Sequence, residues 1–95
     1  MTAAEDRWLG PSADHLNWAE FDDEFFVHHA RSGQTHILNA PAALILRELG
    51  TRAMSLGELV AVVCEQAEVN RTDELHAQVL AHLKQLQQLG LVRHA

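Results

Sequence analysis

Residues 25–39 read FFVHHARSGQTHILN, and this stretch decides the fold. Its first half is aromatic and β-branched, a composition that favours a strand. Residues 30–33 predict a turn, because Gly33 can adopt a positive φ at no steric cost. Thr35–Leu38 then predicts the returning strand, so the stretch as a whole indicates a β-hairpin.

The expected register of this hairpin follows from the length of its loop. A three-residue loop over residues 31–33 would place His28 opposite His36 and Val27 opposite Ile37. Strands joined by so short a connection are expected to be antiparallel neighbours.

A further strand is predicted before the hairpin. Leu16, Trp18 and Phe21 are apolar or aromatic, and Asp22-Asp23 is a turn signal. The three strands therefore form a predicted antiparallel meander.

From Asn39 onward the apolar spacing becomes helical. Three amphipathic helices are predicted, with Asn39, Ser55 and either Asn70 or Thr72 as N-caps, and Gly90 ends the third. The expected order is βββααα, an α+β domain with helices packed on one face of a small sheet. The second and third helices have the lengths of a helix-turn-helix pair, so a winged-helix-like body is expected.

The predicted domain organisation is a short leader followed by one folded unit. Residues 1–14 are expected to form an acidic, flexible leader, because Gly10-Pro11-Ser12 is a breaker cluster and no periodicity precedes it. Trp8 and Leu9 are the leader residues expected to contact the body. Residues 15–95 form the predicted domain, which is long enough for one hydrophobic core.

Charge and composition narrow the classes of partner. The formal net charge of −6 arises within residues 1–24, since acids and bases balance over residues 25–95. Lys84 is the only lysine, so the phosphate contacts that dominate nucleic-acid affinity are nearly lacking. No apolar run is long enough for a membrane span, and the single cysteine, Cys64, makes the cytoplasm the expected compartment.

Histidines raise the hypothesis of a metal site, which the spacing does not support. His28 and His29 are adjacent in a strand and point to opposite faces. His76 and His82 do not share a helix face. Surface or half-buried polar residues are therefore the expected interpretation, and no metal or other cofactor is predicted.

Catalysis is not predicted either. Cys64 has no candidate base beside it and is expected to be a small core residue. The acidic run Glu20–Phe25 is expected to be a solvated turn rather than a pair of catalytic carboxylates. No phosphate-binding glycine loop or nucleophile motif occurs.

The last strand of the meander is the feature that points to a function. Thr35–Leu38 carries neither a formal charge nor a proline, the devices that normally protect an edge strand. Such a strand can accept an extended peptide by backbone pairing. Alternatively, the edge is covered by residues of the leader or by a second copy of the chain. A DNA-binding regulator and a structural dimerisation module are the other classes that the elements allow, and the chain is expected to be a monomer or homodimer.

Several short motifs, in order, resemble the PqqD family. Phe25–His28 is followed by Ser32–Asn39, then by Ala42–Leu46, Ser55–Leu59 and Leu89–Val92. Each motif is mostly apolar spacing, but their order and separations together resemble the family over roughly residues 16–93. The acidic run before Phe25 is similar to the PqqD-like proteins of the HPr-rel-A system.

The resemblance implies a RiPP recognition element, a non-catalytic peptide chaperone that binds the leader of a precursor peptide and presents it to a modifying enzyme. In the PqqD branch that enzyme is a radical-SAM protein of pyrroloquinoline quinone synthesis, and in the HPr-rel-A branch a kinase-like protein is a neighbour. The peptide adds beside the third strand, against the third helix. The residues thereby implied are Thr35, His36, Ile37 and Leu38 of the strand, and His76, Val79, Leu80 and Leu83 of the helix.

Overall fold

The computed structural model describes residues 7–95 and shows an α+β domain, as expected. Its elements, in chain order, are β1 (Arg7–Leu9), β2 (Leu16–Phe21), β3 (Glu24–His29), β4 (Gln34–Leu38), α1 (Ala40–Leu49), β5 (Met54–Ser55), α2 (Leu56–Ala67), α3 (Asp73–Gln88) and β6 (Arg93–His94). The predicted meander is present, and so are the three predicted helices that follow it. Three short strands that the βββααα order lacks form a second sheet.

The meander is an antiparallel sheet with the order β2-β3-β4. The loop between β3 and β4 has four residues rather than the expected three, because His29 pairs with Gln34. The Gly33 N–H donates to the His29 carbonyl at 2.8 Å, and Gly33 has φ +75°.

The predicted hairpin register is therefore wrong by one residue. His36 lies opposite Val27, and His28 lies opposite Thr35. Because a shift by one residue exchanges the two faces of a strand, Ile37 turns outward, whereas His36 shares the inner face with Val27.

The β2–β3 turn contains two aspartates with left-handed backbone. Asp22 has φ 53° and Asp23 has φ 63°, between the paired residues Phe21 and Glu24. Positive φ at both central residues is the signature of a type I′ turn, whose twist suits a two-residue hairpin. Aspartate tolerates this conformation better than most residues but less well than glycine.

The second sheet contains part of the segment expected as a flexible leader. Strand β1 lies between β5 and β6, with Trp8 paired to both Met54 and His94. The Trp8 side chain is buried, and its ring centroid lies 4.0 Å from that of His94. A strand of three residues is too short to show alternation, so this strand has no periodic signal that would predict it. The first six residues of the expected leader lie outside the described residues.

Helix starts follow the predicted caps. The Asn39 side chain accepts from the Ala42 N–H, and Ser55 and Glu58 form a reciprocal capping box. Thr72, rather than Asn70, caps α3 by accepting from the Leu75 N–H. The helices bury their apolar faces in one core, whose fully buried members include Leu46, Leu49, Met54, Leu59, Leu83 and Leu86. No helix within residues 7–95 combines the length and apolar character needed to cross a membrane.

Glu58 connects the second sheet to α2. Its carboxylate contacts Arg7 of β1 at 2.7 Å and Arg52 at 3.1 Å. It also accepts the Ser55 N–H at 3.0 Å. The Ser55 backbone bond, followed by the Arg52 and Arg7 charges, lowers the pKa of Glu58 to about 2.

Asp23→Gly is expected to stabilise the fold by about 1 kcal/mol, because glycine removes the strain of a left-handed residue in the type I′ turn. Chemical unfolding measures the change. Asp14→Gly, in a helical turn without positive φ, is the matched control and should be neutral or destabilising. A loss of stability in Asp23→Gly would contradict the turn assignment.

Glu58→Gln is expected to flatten the acid limb of the stability profile. A carboxyl whose pKa is lower in the folded state stabilises the fold above the unfolded-state pKa. That contribution is lost as pH falls from about 4.5 toward about 2. Denaturant unfolding across this range measures it, with Glu65→Gln on the same helix as the control. An equally steep decline in both variants and the native chain would refute the role of Glu58.

Candidate functional site

In the part of the chain that the structure describes, strand β4 is an edge of the meander and pairs only with β3. Its free backbone groups follow from the alternation of the ladder. The Ala30 N–H donates to the His15 carbonyl, so even-numbered residues of β3 direct their backbone groups toward β2 and odd-numbered ones toward β4. Within β4, His36 and Leu38 therefore bond to β3, and the N–H and C=O groups of Thr35 and Ile37 point away from the sheet.

The part of the chain leading into the meander does not cover this edge. Arg7–Leu9 pairs instead with β5 and β6 in the second sheet. Across residues 7–95, no strand other than β3 is paired with β4. The alternative in which residues 7–14 cover the edge is thus contradicted by the structure.

The four strand residues implied by the resemblance divide between two faces. Thr35 and Ile37 are exposed on the outer face, with Ile37 59% accessible. The Thr35 hydroxyl lies 2.9 Å from Nδ1 of His28 on the neighbouring strand. His36 is half-buried on the inner face, and Leu38 is buried in the core. An added strand would thus meet open backbone at the two exposed residues.

The four helix residues implied by the resemblance are placed at different depths. Val79 and Leu83 are buried members of the core. His76 and Leu80 are half-buried on the neighbouring side of α3. The first pair is closed to direct contact with a ligand, and only the second pair has appreciable surface for contact.

A small apolar pocket opens where α1, α2 and α3 meet, and we call it the helix-junction pocket. Its volume is about 230 Å³. It is lined by Pro41, Ile45, Val63, Ala67, Val69, Leu75, Gln78, Val79 and His82. Pro41 follows the last residue of β4 by three positions, so the pocket begins close to the end of the open edge.

The lining of this pocket includes α3 residues that the sequence reasoning missed. Leu75, Gln78, Val79 and His82 follow the i, i+3, i+4, i+7 spacing of one helix face. The implied set, which begins at His76, has the same spacing rotated by one residue, or about 100° around the helix. Val79 belongs to both sets. The apolar stripe was visible in the sequence, but which of its two flanks borders open space was not.

His82 is the titratable group of the helix-junction pocket. Burial disfavours its charged form and lowers its pKa below the ordinary value of 6.5. A neutral imidazole suits a lining whose other members, apart from Gln78, are apolar. The pocket can therefore receive an apolar side chain, with His82 and Gln78 as its hydrogen-bonding side chains.

The structure separates the residues considered for a metal site. His28 points to the outer face of the meander and His36 to the inner face, so the predicted opposition of the two is wrong. Considering the described positions alone, no three histidine, cysteine or acidic side chains are close enough to hold a metal ion. Cys64 is half-buried and packs against the core.

Together, the meander, the three helices and the open strand define a small α+β domain with a free sheet edge. The family model described as coenzyme PQQ synthesis protein D (PqqD) matches residues 24–92. The chain therefore belongs to the PqqD family. Among curated protein sequences, no relative matches.

Two solved structures share the fold. One is described as TbiB1 in complex with the TbiA(beta) leader peptide; it is 23% identical, covers 87% of this chain and 94% of its own, and has a TM-score of 0.62. The other is described as lasso peptide synthetase B1 complexed with the leader peptide; it is 22% identical, covers 95% of this chain and 99% of its own, and has a TM-score of 0.60. At these identities the likeness concerns the fold.

His82→Gln is expected to reduce the loss of stability on acidification. Because the pKa of His82 is lowered by folding, its contribution is present above the unfolded pKa of about 6.5 and is lost as pH falls below it. Unfolding free energies measured on both sides of that pH test this. His76→Gln, on the same helix outside the pocket, is the control, and an equal change in both variants would refute the assignment.

Proposed function

We propose that the chain is a non-catalytic adaptor that binds a precursor peptide as an added strand beside β4 and presents it to a modifying enzyme. The observation that carries the proposal is the open edge at Thr35 and Ile37. Each of these residues offers a free N–H and a free C=O to a partner strand. Family membership and the leader peptides in the two similar structures support the same function.

The proposed groove has two parts with different roles. The β4 backbone supplies hydrogen bonds that any extended peptide can make. The side chains of α3 supply selectivity, through His76 and Leu80 on one flank and the helix-junction pocket on the other. Val79 and Leu83 hold this helix against the core, so they act as support.

The proposed partner enzyme can be assigned to a class. The resemblance of the acidic run before Phe25 favours a kinase-like partner of the HPr-rel-A type over an enzyme of quinone synthesis. The function proposed requires no cofactor and no chemical step on this chain. The proposed location is the cytoplasm, the compartment expected for a peptide-maturation adaptor with one unpaired cysteine.

Ile37→Pro is expected to abolish peptide binding, because proline removes an outward N–H that the added strand needs. The probes are the short peptides encoded in reading frames adjacent to this chain, together with binders selected from a peptide display library. Fluorescence anisotropy measures affinity, which is expected near micromolar, about −8 kcal/mol, for the native chain.

Two further variants separate backbone pairing from side-chain contact. Thr35→Pro removes the other outward N–H and should also prevent binding, whereas Ile37→Ala keeps both N–H groups and should retain most of the affinity. Circular dichroism establishes that each variant is folded. Native affinity in a folded Ile37→Pro or Thr35→Pro variant would rule out strand addition at this edge. Sedimentation with and without peptide tests the alternative occupant: a dimer that peptide does not dissociate would indicate a second copy of the chain there.

A further inference from the structure

A second, larger cavity lies at the loop end of the domain, and we call it the basic pocket. Its volume is about 500 Å³, which is within the range of small-molecule sites. It is lined by Leu9, Gly10, Pro11, Ser12, His15, His29, Arg31, Gly50, Thr51, Gly90, Leu91, Val92 and Arg93. This lining contains two arginines and two histidines and no acidic side chain, in a chain whose net charge is −6.

The two arginines of the basic pocket differ from the other arginines of the chain. Elsewhere, each arginine is engaged: Arg7 and Arg52 at Glu58, Arg71 at the Gly57 carbonyl, and Arg47 over the ring of Trp18. Arg31 and Arg93 make neither an ion pair nor a side-chain hydrogen bond with any of residues 7–95. The two arginines whose side chains have no partner in that range therefore line the same cavity.

The carbonyl groups at the end of α1, which borders the pocket, already accept backbone N–H groups and therefore do not require these arginines as donors. The Gly50 N–H bonds to the Leu46 and Arg47 carbonyls, and the Gly10 N–H bonds to the Leu49 carbonyl. Both α1 and α3 direct their C-terminal ends toward the pocket, and each contributes a partial charge of about −0.5. Two full guanidinium charges exceed that contribution, so the local field favours an anion.

His29 adds a ring N–H donor to the residues of the lining. Its Nδ1 accepts the Ser32 N–H at 3.0 Å, so the neutral ring carries its proton on Nε2. Ser12 lies in the same lining, and its hydroxyl oxygen accepts the Asp14 N–H, which leaves the hydroxyl proton free to be donated. The Thr51 hydroxyl already donates to the Glu48 carbonyl. Planar guanidinium groups combined with N–H and O–H donors match the oxygens of a phosphoryl group.

We propose that the basic pocket binds a phosphoryl-bearing ligand, held by Arg31 and Arg93 with His29 as a further donor. The site is separate from the free backbone of Thr35 and Ile37. It therefore adds a second binding function to the domain and does not depend on the peptide proposal.

Amide resonances of the uniformly labelled chain, followed during titration with inorganic phosphate, test the proposal. Saturable shifts are expected at residues 29–31 and 90–93. Arg31→Gln combined with Arg93→Gln should weaken binding by about a hundredfold or more, since each lost charged hydrogen bond is worth about tenfold or more in affinity. The control is Arg71→Gln combined with Lys84→Gln, which removes the same charge outside the pocket and should keep native affinity.

Titrations with two further ligands identify the source of the phosphoryl group. A nucleoside monophosphate and a phosphoserine peptide are titrated in the same way, and tighter binding of one over inorganic phosphate identifies its class. Acetate binding as tightly as phosphate would contradict phosphoryl recognition, as would equal losses in the two double variants or shifts spread over the whole surface. Ile37→Pro should leave phosphate binding intact, so failure of the peptide proposal and failure of this one are distinguishable.

Discussion

The hydrogen bond from the Gly33 N–H to the His29 carbonyl is the constraint on which the rest of the site depends. It makes the β3–β4 loop four residues long and thereby sets the register of β4. With that register, Leu38 turns into the core and Ile37 turns outward. One residue less in the loop would exchange these faces and bury a different set of side chains. The geometry of a short turn thus decides what the edge of the sheet presents.

The second constraint is the capture of Arg7–Leu9 by β5 and β6. This small sheet holds the start of the described chain between β5 and β6 rather than beside β4. Trp8 contributes a buried ring, and Arg7 contributes the contact with Glu58. As a result, the chain segment before the meander pairs within the β5-β1-β6 sheet, and β4 keeps a free edge.

Most of the fold was predictable because its signals are local. The caps at Asn39 and Ser55 and the Asp22-Asp23 turn each depend on residues a few positions apart, and the structure confirms them. The second sheet was not predictable in this way, since its strands have two or three residues and pair across the whole length of the chain. No alternation can develop over so few positions, and the pairing depends on tertiary contacts.

The candidate site was predictable only in part. An uncharged, proline-free strand after Gly33 indicated the open edge, and the structure places it there. The register was missed because an i-to-i+4 bond at Gly33 cannot be distinguished by composition from a shorter turn. The position of the pocket beside His82 was missed for another reason. A helical stripe shows which face is apolar, but the placement of α1 and α2 decides which flank of that face stays open.

Under the proposed strand addition, the free edge of β4 has a consequence for how the bound peptides can diversify. Main-chain amides and carbonyls are chemically the same for nearly every amino acid, so this part of the recognition tolerates wide variation in the bound segment. Proline is the exception, because it has no amide hydrogen to offer the exposed carbonyls of Thr35 and Ile37. In the proposed complex, peptide sequences are then free to vary along the paired stretch as long as proline stays out of the hydrogen-bonded positions.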